Sequence, residues 1–61
     1  MGRLMTEAEV EAEHGFKPRT LRQWRYTGDG PPFVKLNGRM VRYLAEDIEK
    51  WIASQRHDPA A

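Results

Sequence analysis

The segment Thr27-Gly28-Asp29-Gly30-Pro31-Pro32 constrains the fold of this chain more than any other feature. A helix does not continue through two glycines and two adjacent prolines, so the segment must separate one group of regular elements from another. The chain has 61 residues and no cysteine, which leaves neither a disulfide framework nor a thiolate zinc site to support it. We therefore expect a single domain over residues 1–61 that depends on one small apolar core.

Two helices are predicted before this segment. Thr6-Glu7-Ala8-Glu9 is a capping box, in which the Thr6 hydroxyl and the Glu9 carboxylate each accept from the other residue's backbone N–H. The first helix then runs from about Glu7 to His14. A turn of three to four residues leads to Pro18, which is well tolerated at a first helical position, and to a second helix from about Pro18 to Tyr26. This spacing is typical of a helix-turn-helix motif.

Two short β-rich runs follow the segment, Phe33–Leu36 and Arg39–Tyr43. The dipeptide Asn37-Gly38 between them predicts a hairpin with a two-residue type I′ turn. In that register Leu36 opposes Arg39 and Val34 opposes Val41. One face of the hairpin would then carry Val34, Leu36, Val41 and Tyr43, and the other Lys35 and Arg42.

A third helix is predicted from about Ala45 to Gln55, with Leu44, Ile48, Trp51 and Ile52 on its buried stripe. Residues 57–61 are expected to be a frayed tail. The large apolar residues that should form the core are Phe16, Trp24, Phe33, Tyr43, Trp51, Val10, Leu21, Val34, Leu36, Val41, Leu44, Ile48 and Ile52.

The charges of the chain are strongly segregated. Residues 15–43 contain seven basic residues and one acid, a local charge of +6, while the rest of the chain carries −5. The overall net charge of +1 conceals this division. A cationic face that also carries Gln, Thr, Asn and Tyr is typical of a nucleic-acid-binding surface.

The second helix has the side chains needed to read base pairs. Arg19, Arg22, Gln23 and Tyr26 share one stripe, while Leu21 and Trp24 lie on an apolar side. Arginine can fork to guanine O6 and N7, and glutamine can pair with adenine N6 and N7. Arg25 lies on the flank, where it either contacts phosphate or pairs with a carboxylate.

Other chemistries find little support in the sequence. There is no nucleophile with a matching base and no phosphate-cradling loop, so we expect no catalytic residues and no cofactor. His14 and His57 lack partners at metal-ligand spacing, so no metal site is expected. No apolar run is long enough to span a membrane and no signal peptide is evident, which predicts a cytoplasmic protein.

The order of these elements and their residues resemble a known family. The matching stretches are Thr6–Val10, Pro18–Trp24, Gly30–Leu36, Gly38–Tyr43 and Glu46–Ile52. They are similar to the small winged helix-turn-helix proteins of the excisionase and AlpA type, within the MerR-like superfamily. The resemblance implies an α+β fold with two N-terminal helices, a β-hairpin wing and a C-terminal helix. The chain departs from the family at Glu11 and His14, where members usually carry a small apolar residue and a leucine.

The resemblance also implies where double-stranded DNA would bind. The second helix would enter the major groove, and the wing around Asn37-Gly38-Arg39 would lie on a phosphate backbone or in the adjacent minor groove. The expected DNA-binding residues are Lys17, Arg19, Thr20, Arg22, Gln23, Arg25, Tyr26, Lys35, Asn37, Gly38, Arg39 and Arg42.

Members of this family act as excisionases, also called recombination directionality factors, or as small transcription regulators. We expect a non-enzymatic, phage-type excisionase of the bacterial cytoplasm. It would bind repeated sites head-to-tail with neighbouring copies, bend DNA and direct an integrase toward excision. One alternative is a small phage or prophage transcription regulator of the AlpA type. Another is a protein-interaction module whose basic face meets an acidic partner.

Overall fold

A computed structural model describes residues 2–57 and Pro59. The elements in chain order are β1 (Leu4–Met5), α1 (Glu7–His14), α2 (Pro18–Thr27), β2 (Val34–Leu36), β3 (Met40–Leu44) and α3 (Ala45–Ser54). Three helices with a three-stranded antiparallel sheet confirm the predicted α+β winged helix-turn-helix fold. The described part of the chain has no helix that is both long and apolar enough to cross a membrane. Of the predicted frayed tail, Asp58, Ala60 and Ala61 lie outside the described residues.

The first helix begins as the capping box predicts. The Thr6 hydroxyl accepts from the Glu9 N–H at 3.1 Å, and the Glu9 carboxylate accepts from the Thr6 N–H at 2.8 Å. The bond from the Thr6 backbone lowers the pKa of Glu9, because it stabilises the charged carboxylate. Helix α1 therefore starts and ends at the predicted residues.

Strand β1 is an element that the sequence did not predict. It pairs antiparallel with β3, with Leu4 opposite Leu44 and Met5 opposite Tyr43, so that β3 is the central strand of the order β1-β3-β2. Met5 is completely buried. Two residues are too few to show the alternation that identifies a strand, so only the tertiary pairing defines β1.

The hairpin register differs from the prediction by one residue. Leu36 lies opposite Met40, Lys35 opposite Val41 and Val34 opposite Arg42. Asn37 and Gly38 have positive φ angles of 53° and 74°, and the Arg39 N–H donates to the Leu36 carbonyl at 3.1 Å, as in a type I′ turn. Arg39, however, is an extra residue before the ladder begins.

Because of this extra residue, each side chain of β2 lies on the face of the sheet opposite to the predicted one, relative to the side chains of β3. Residues directly opposite each other in an antiparallel pair share a face of the sheet. Val34 and Leu36 therefore lie on the side of Arg42 and Met40, and Lys35 lies on the side of Val41. The predictions that Val34 and Leu36 share a face with Val41 and Tyr43, and that Lys35 and Arg42 project together, are wrong.

The core lies between the helices and one face of the sheet. Its fully buried residues come from five elements and are Met5, Val10, Leu21, Tyr43 and Ile48. Phe16, Trp24, Val41 and Ala45 pack against them and are partly buried. Phe33 and Ile52, which the sequence placed in the core, are 41% and 38% exposed. The prediction that these two residues belong to the core is wrong.

An aromatic cluster extends the core between α1, α2 and α3. The Trp24 and Trp51 ring centroids are 5.2 Å apart, and Phe16 contacts each of them edge-on at 5.5 and 5.9 Å. His14 stacks on Phe16 at 5.9 Å, so this departure from the family pattern is accommodated by aromatic contact. Gly30, at φ 80°, lies so close to Trp24 that an added Cβ would approach the Trp24 Cβ to 2.8 Å. The loop after α2 is thereby held against the cluster.

We predict that Trp51→Ala lowers the free energy of unfolding by about 3 kcal/mol, because it removes the α3 member of this cluster. That is a large share of the stability available to a domain of this size. Ile52→Ala on the same helix is the control and should cost about 1 kcal/mol, because the side chain is partly exposed. Urea unfolding of both variants tests this. Equal losses would contradict a structural role specific to Trp51.

Candidate nucleic-acid interface

Helix α2 is fixed by its apolar side and leaves its polar side open. Leu21 is completely buried and Trp24 packs against the core, while Pro18 occupies the start of the helix. The opposite side carries side chains that are exposed to solvent, and Tyr26 is 89% exposed. The exposed residues of this surface, which we call the reading edge, are Arg19, Arg22, Gln23 and Tyr26, with Lys17 just before the helix. The predicted stripe is therefore an exposed surface.

The reading edge keeps its hydrogen-bonding groups available. Within residues 2–57 and Pro59, Arg19, Arg22 and Gln23 make no side-chain hydrogen bond or ion pair. Guanidinium and amide groups in this state can donate to base edges or phosphate oxygens without first breaking a protein contact. Thr20, also predicted to bind DNA, is half-buried.

The tip of the hairpin presents a second exposed surface. Asn37, Gly38 and Arg39 form the connection between β2 and β3, and all three are exposed, as is Lys35 on β2. Because Arg39 lies outside the ladder, no residue of β2 is its cross-strand partner. Arg42 is different, since it is half-buried and its Nη1 donates to the Val41 carbonyl at 2.8 Å. We call the hairpin β2–β3 with its 37–39 connection the wing.

Arg25 faces the inside of the protein rather than the reading edge. Its Nη1 donates to Glu7 Oε2 on α1 and to the Tyr43 hydroxyl on β3, each at 2.7 Å. Its side chain is only 17% exposed. Burial by itself would lower the pKa of Arg25, but the hydrogen bonds to Glu7 and Tyr43 outweigh it and the pKa is raised. Of the two roles the sequence left open, the structure shows pairing with a carboxylate.

Phe33 completes the surroundings of this guanidinium. Its ring centroid lies 5.8 Å from the Arg25 Cζ and 6.4 Å from the Tyr43 ring. We refer to Arg25, Glu7, Tyr43 and Phe33 as the Arg25 cluster. Glu7 and Tyr43 are each 18 residues from Arg25 in sequence. No local pattern could have paired them, and the sequence analysis assigned neither one a role beside Arg25.

The acidic residues of α1 have different surroundings in the folded protein. Glu13 forms an ion pair with Arg3, whose pKa is raised by this hydrogen bond. Glu11 is exposed. In the described part of the chain, no three His, Cys, Asp or Glu residues are arranged to hold a metal ion.

Comparison with known proteins agrees with this geometry. The profile of a helix-turn-helix domain family matches residues 4–56. The chain belongs to this family, which includes the excisionase and AlpA-type small helix-turn-helix proteins. It is a small DNA-binding helix-turn-helix protein. Searches of curated proteins and of solved structures found no match.

We predict that two arginines of the same helix differ in their effect on stability. Arg25→Ala should lower the free energy of unfolding by about 1–3 kcal/mol, because it leaves Glu7 and the buried Tyr43 hydroxyl without their donor. Arg22→Ala should change it by no more than about 0.5 kcal/mol, because Arg22 is exposed. Chemical unfolding without DNA measures both. A destabilised Arg22→Ala with an unaffected Arg25→Ala would reverse the assignment.

Proposed function

We propose that this protein reads double-stranded DNA by placing α2 in the major groove and the wing on the adjacent backbone or minor groove. One observation carries the proposal. Arg19, Arg22 and Gln23 are exposed and make no side-chain bond to the described residues, whereas Arg25 on the same helix is held by Glu7 and Tyr43. Hydrogen-bond donors that have no acceptor among the described residues and lie on one edge of a packed helix can donate to the bases and phosphates of DNA.

Within α2, the proposed contacts follow side-chain chemistry. Arg22 and Gln23 are assigned to base edges, Arg22 to guanine and Gln23 to adenine. Lys17 and Arg19 are assigned to phosphates, since they lie at the N-terminal end of the helix. Tyr26 is assigned to the sugar-phosphate backbone through its exposed hydroxyl. Half-buried Thr20 has a smaller part in the interface.

The wing is assigned a different kind of contact. Arg39 at its exposed tip suits the negative potential of a narrow minor groove, and Gly38 allows the backbone to approach closely. Asn37 and Lys35 are assigned to phosphates beside it. Arg42 is a secondary contact, because part of its guanidinium is engaged by the Val41 carbonyl. We remove Arg25 from the DNA-binding set.

The biological role we propose is that of an excisionase in the bacterial cytoplasm. The family includes proteins of this type. The described residues provide one reading helix, which predicts modest affinity for a single site and favours several adjacent copies. An exposed acidic residue such as Glu11 and basic residues on the wing suit heterologous, head-to-tail contact between copies aligned on DNA. Accumulated bending would then direct an integrase toward excision.

We predict that Gln23→Ala weakens binding to the specific site by about 1–3 kcal/mol and relaxes the preference at one base pair. Arg22→Ala should do the same at a neighbouring position. Binding to a library of single-base variants of the site measures both effects. If both variants discriminate among the sites as well as the parent does, α2 does not read the bases.

The wing variant Arg39→Ala should behave otherwise. We expect weaker binding to all sequences and a salt slope smaller by about one unit, because a single phosphate or groove contact is lost. Affinity measured over a range of salt concentrations gives this slope. Lys50→Ala, which removes one positive charge from an exposed position on α3 with no assigned DNA contact, is the matched control. An unchanged slope for Arg39→Ala would remove the wing from the interface.

The excisionase role predicts cooperative occupancy of directly repeated sites, with DNA curvature that grows as copies are added. Footprinting on DNA beside the protein's own gene, with gel mobility of circularly permuted fragments, measures site number, spacing and bending. A footprint on one inverted repeat without a bend would instead favour a transcription regulator. If the protein does not change the electrophoretic mobility of DNA even at low salt, a protein-interaction module would be favoured.

A further inference from the structure

The Arg25 cluster connects the two surfaces to which we assign DNA contacts. Arg25 lies three residues after Arg22, so its Cα is about 4.5 Å further along the same helix. Tyr43 lies four residues after Arg39, about 13 Å along β3 from the tip of the wing. One pair of hydrogen-bonded atoms, Arg25 Nη1 and the Tyr43 hydroxyl at 2.7 Å, therefore joins α2 to β3, the strand of the wing that is central in the sheet.

Within the described residues, the bond between Arg25 and Tyr43 is the side-chain hydrogen bond that joins α2 to the wing. Strand β2 has its main contacts with β3, and α2 has its main contacts with α1. Phe33, the residue just before β2, contacts both Arg25 and Tyr43, so β2 is also connected to the Arg25 cluster. The same Nη1 also donates to Glu7 Oε2 at 2.7 Å, which restricts the orientation of the guanidinium. These polar and aromatic contacts fix the relative placement of α2 and the wing together with the apolar core, which contains both Leu21 and Tyr43.

We propose that Tyr43 and Arg25 are positioning residues, which set the wing at the distance and angle from α2 that allows both to contact DNA at once. This inference rests on the proposed function, because it assumes that Arg39 contacts DNA. Tyr43 is 1% exposed and Arg25 is mostly buried, so neither acts by touching DNA. They affect binding by positioning the wing, and with it Arg39.

Tyr43→Phe tests the inference, because it removes the hydroxyl and keeps the ring that fills the core. Affinity for the specific DNA site is measured for the parent, Tyr43→Phe, Arg39→Ala and the double variant, under conditions where circular dichroism shows each to be folded. The matched control is Ile48→Val, a small loss from the same core on α3, alone and with Arg39→Ala. Arg25→Lys is a second variant of the cluster, in case Tyr43→Phe does not fold.

We expect Arg39→Ala to weaken binding by about tenfold in the parent and in Ile48→Val, but by about twofold or less in Tyr43→Phe. The salt slope should show the same dependence. A tenfold cost in all three backgrounds would overturn the positioning role and leave the proposed interface intact. An Arg39→Ala variant that binds like the parent would refute the wing contact, and the positioning role with it.

Discussion

The hydrogen bonds of the Arg25 guanidinium are the interaction on which the arrangement of this protein depends. A mostly buried cation is tolerated only if bonded partners replace its lost hydration. Glu7 and Tyr43 supply these bonds from α1 and β3, so the guanidinium joins three elements at one point. In the described part of the chain, the fully buried hydrophobic cluster has five members, so a polar contact that joins three elements adds to a small core.

The same helix uses its basic residues for two purposes. Arg25 is turned inward and satisfied, whereas Arg19 and Arg22 remain exposed and without bonds to the described residues. The inward residue holds α2 to α1 and β3, and the outward residues are the ones to which we assign the attraction of DNA. Counting basic residues along the chain would treat the three alike. Their burial and partners distinguish a structural cation from those available to a ligand.

Local patterns predicted most of the fold. The capping box located the start of α1, Pro18 located α2, and the stripe containing Ile48 located α3. The sequence could not predict β1, which exists only because two residues pair with β3. Nor could the sequence predict the hairpin register. Asn37-Gly38 forms the same turn whether Leu36 pairs with Arg39 or, as observed, with Met40. The reading edge was found because helical spacing is local, but the partners of Arg25 were not, because they depend on tertiary structure.

The central claim is that DNA meets the exposed edge of α2 and the tip of the wing while Arg25 stays within the protein. Nuclear magnetic resonance of the isotopically labelled protein, titrated with DNA from beside its own gene, tests this directly. We expect large chemical-shift changes at the side chains of Arg22, Gln23 and Arg39, and small ones at the guanidinium of Arg25. Shifts concentrated on the acidic side of α1, or release of the Arg25 guanidinium on binding, would contradict it.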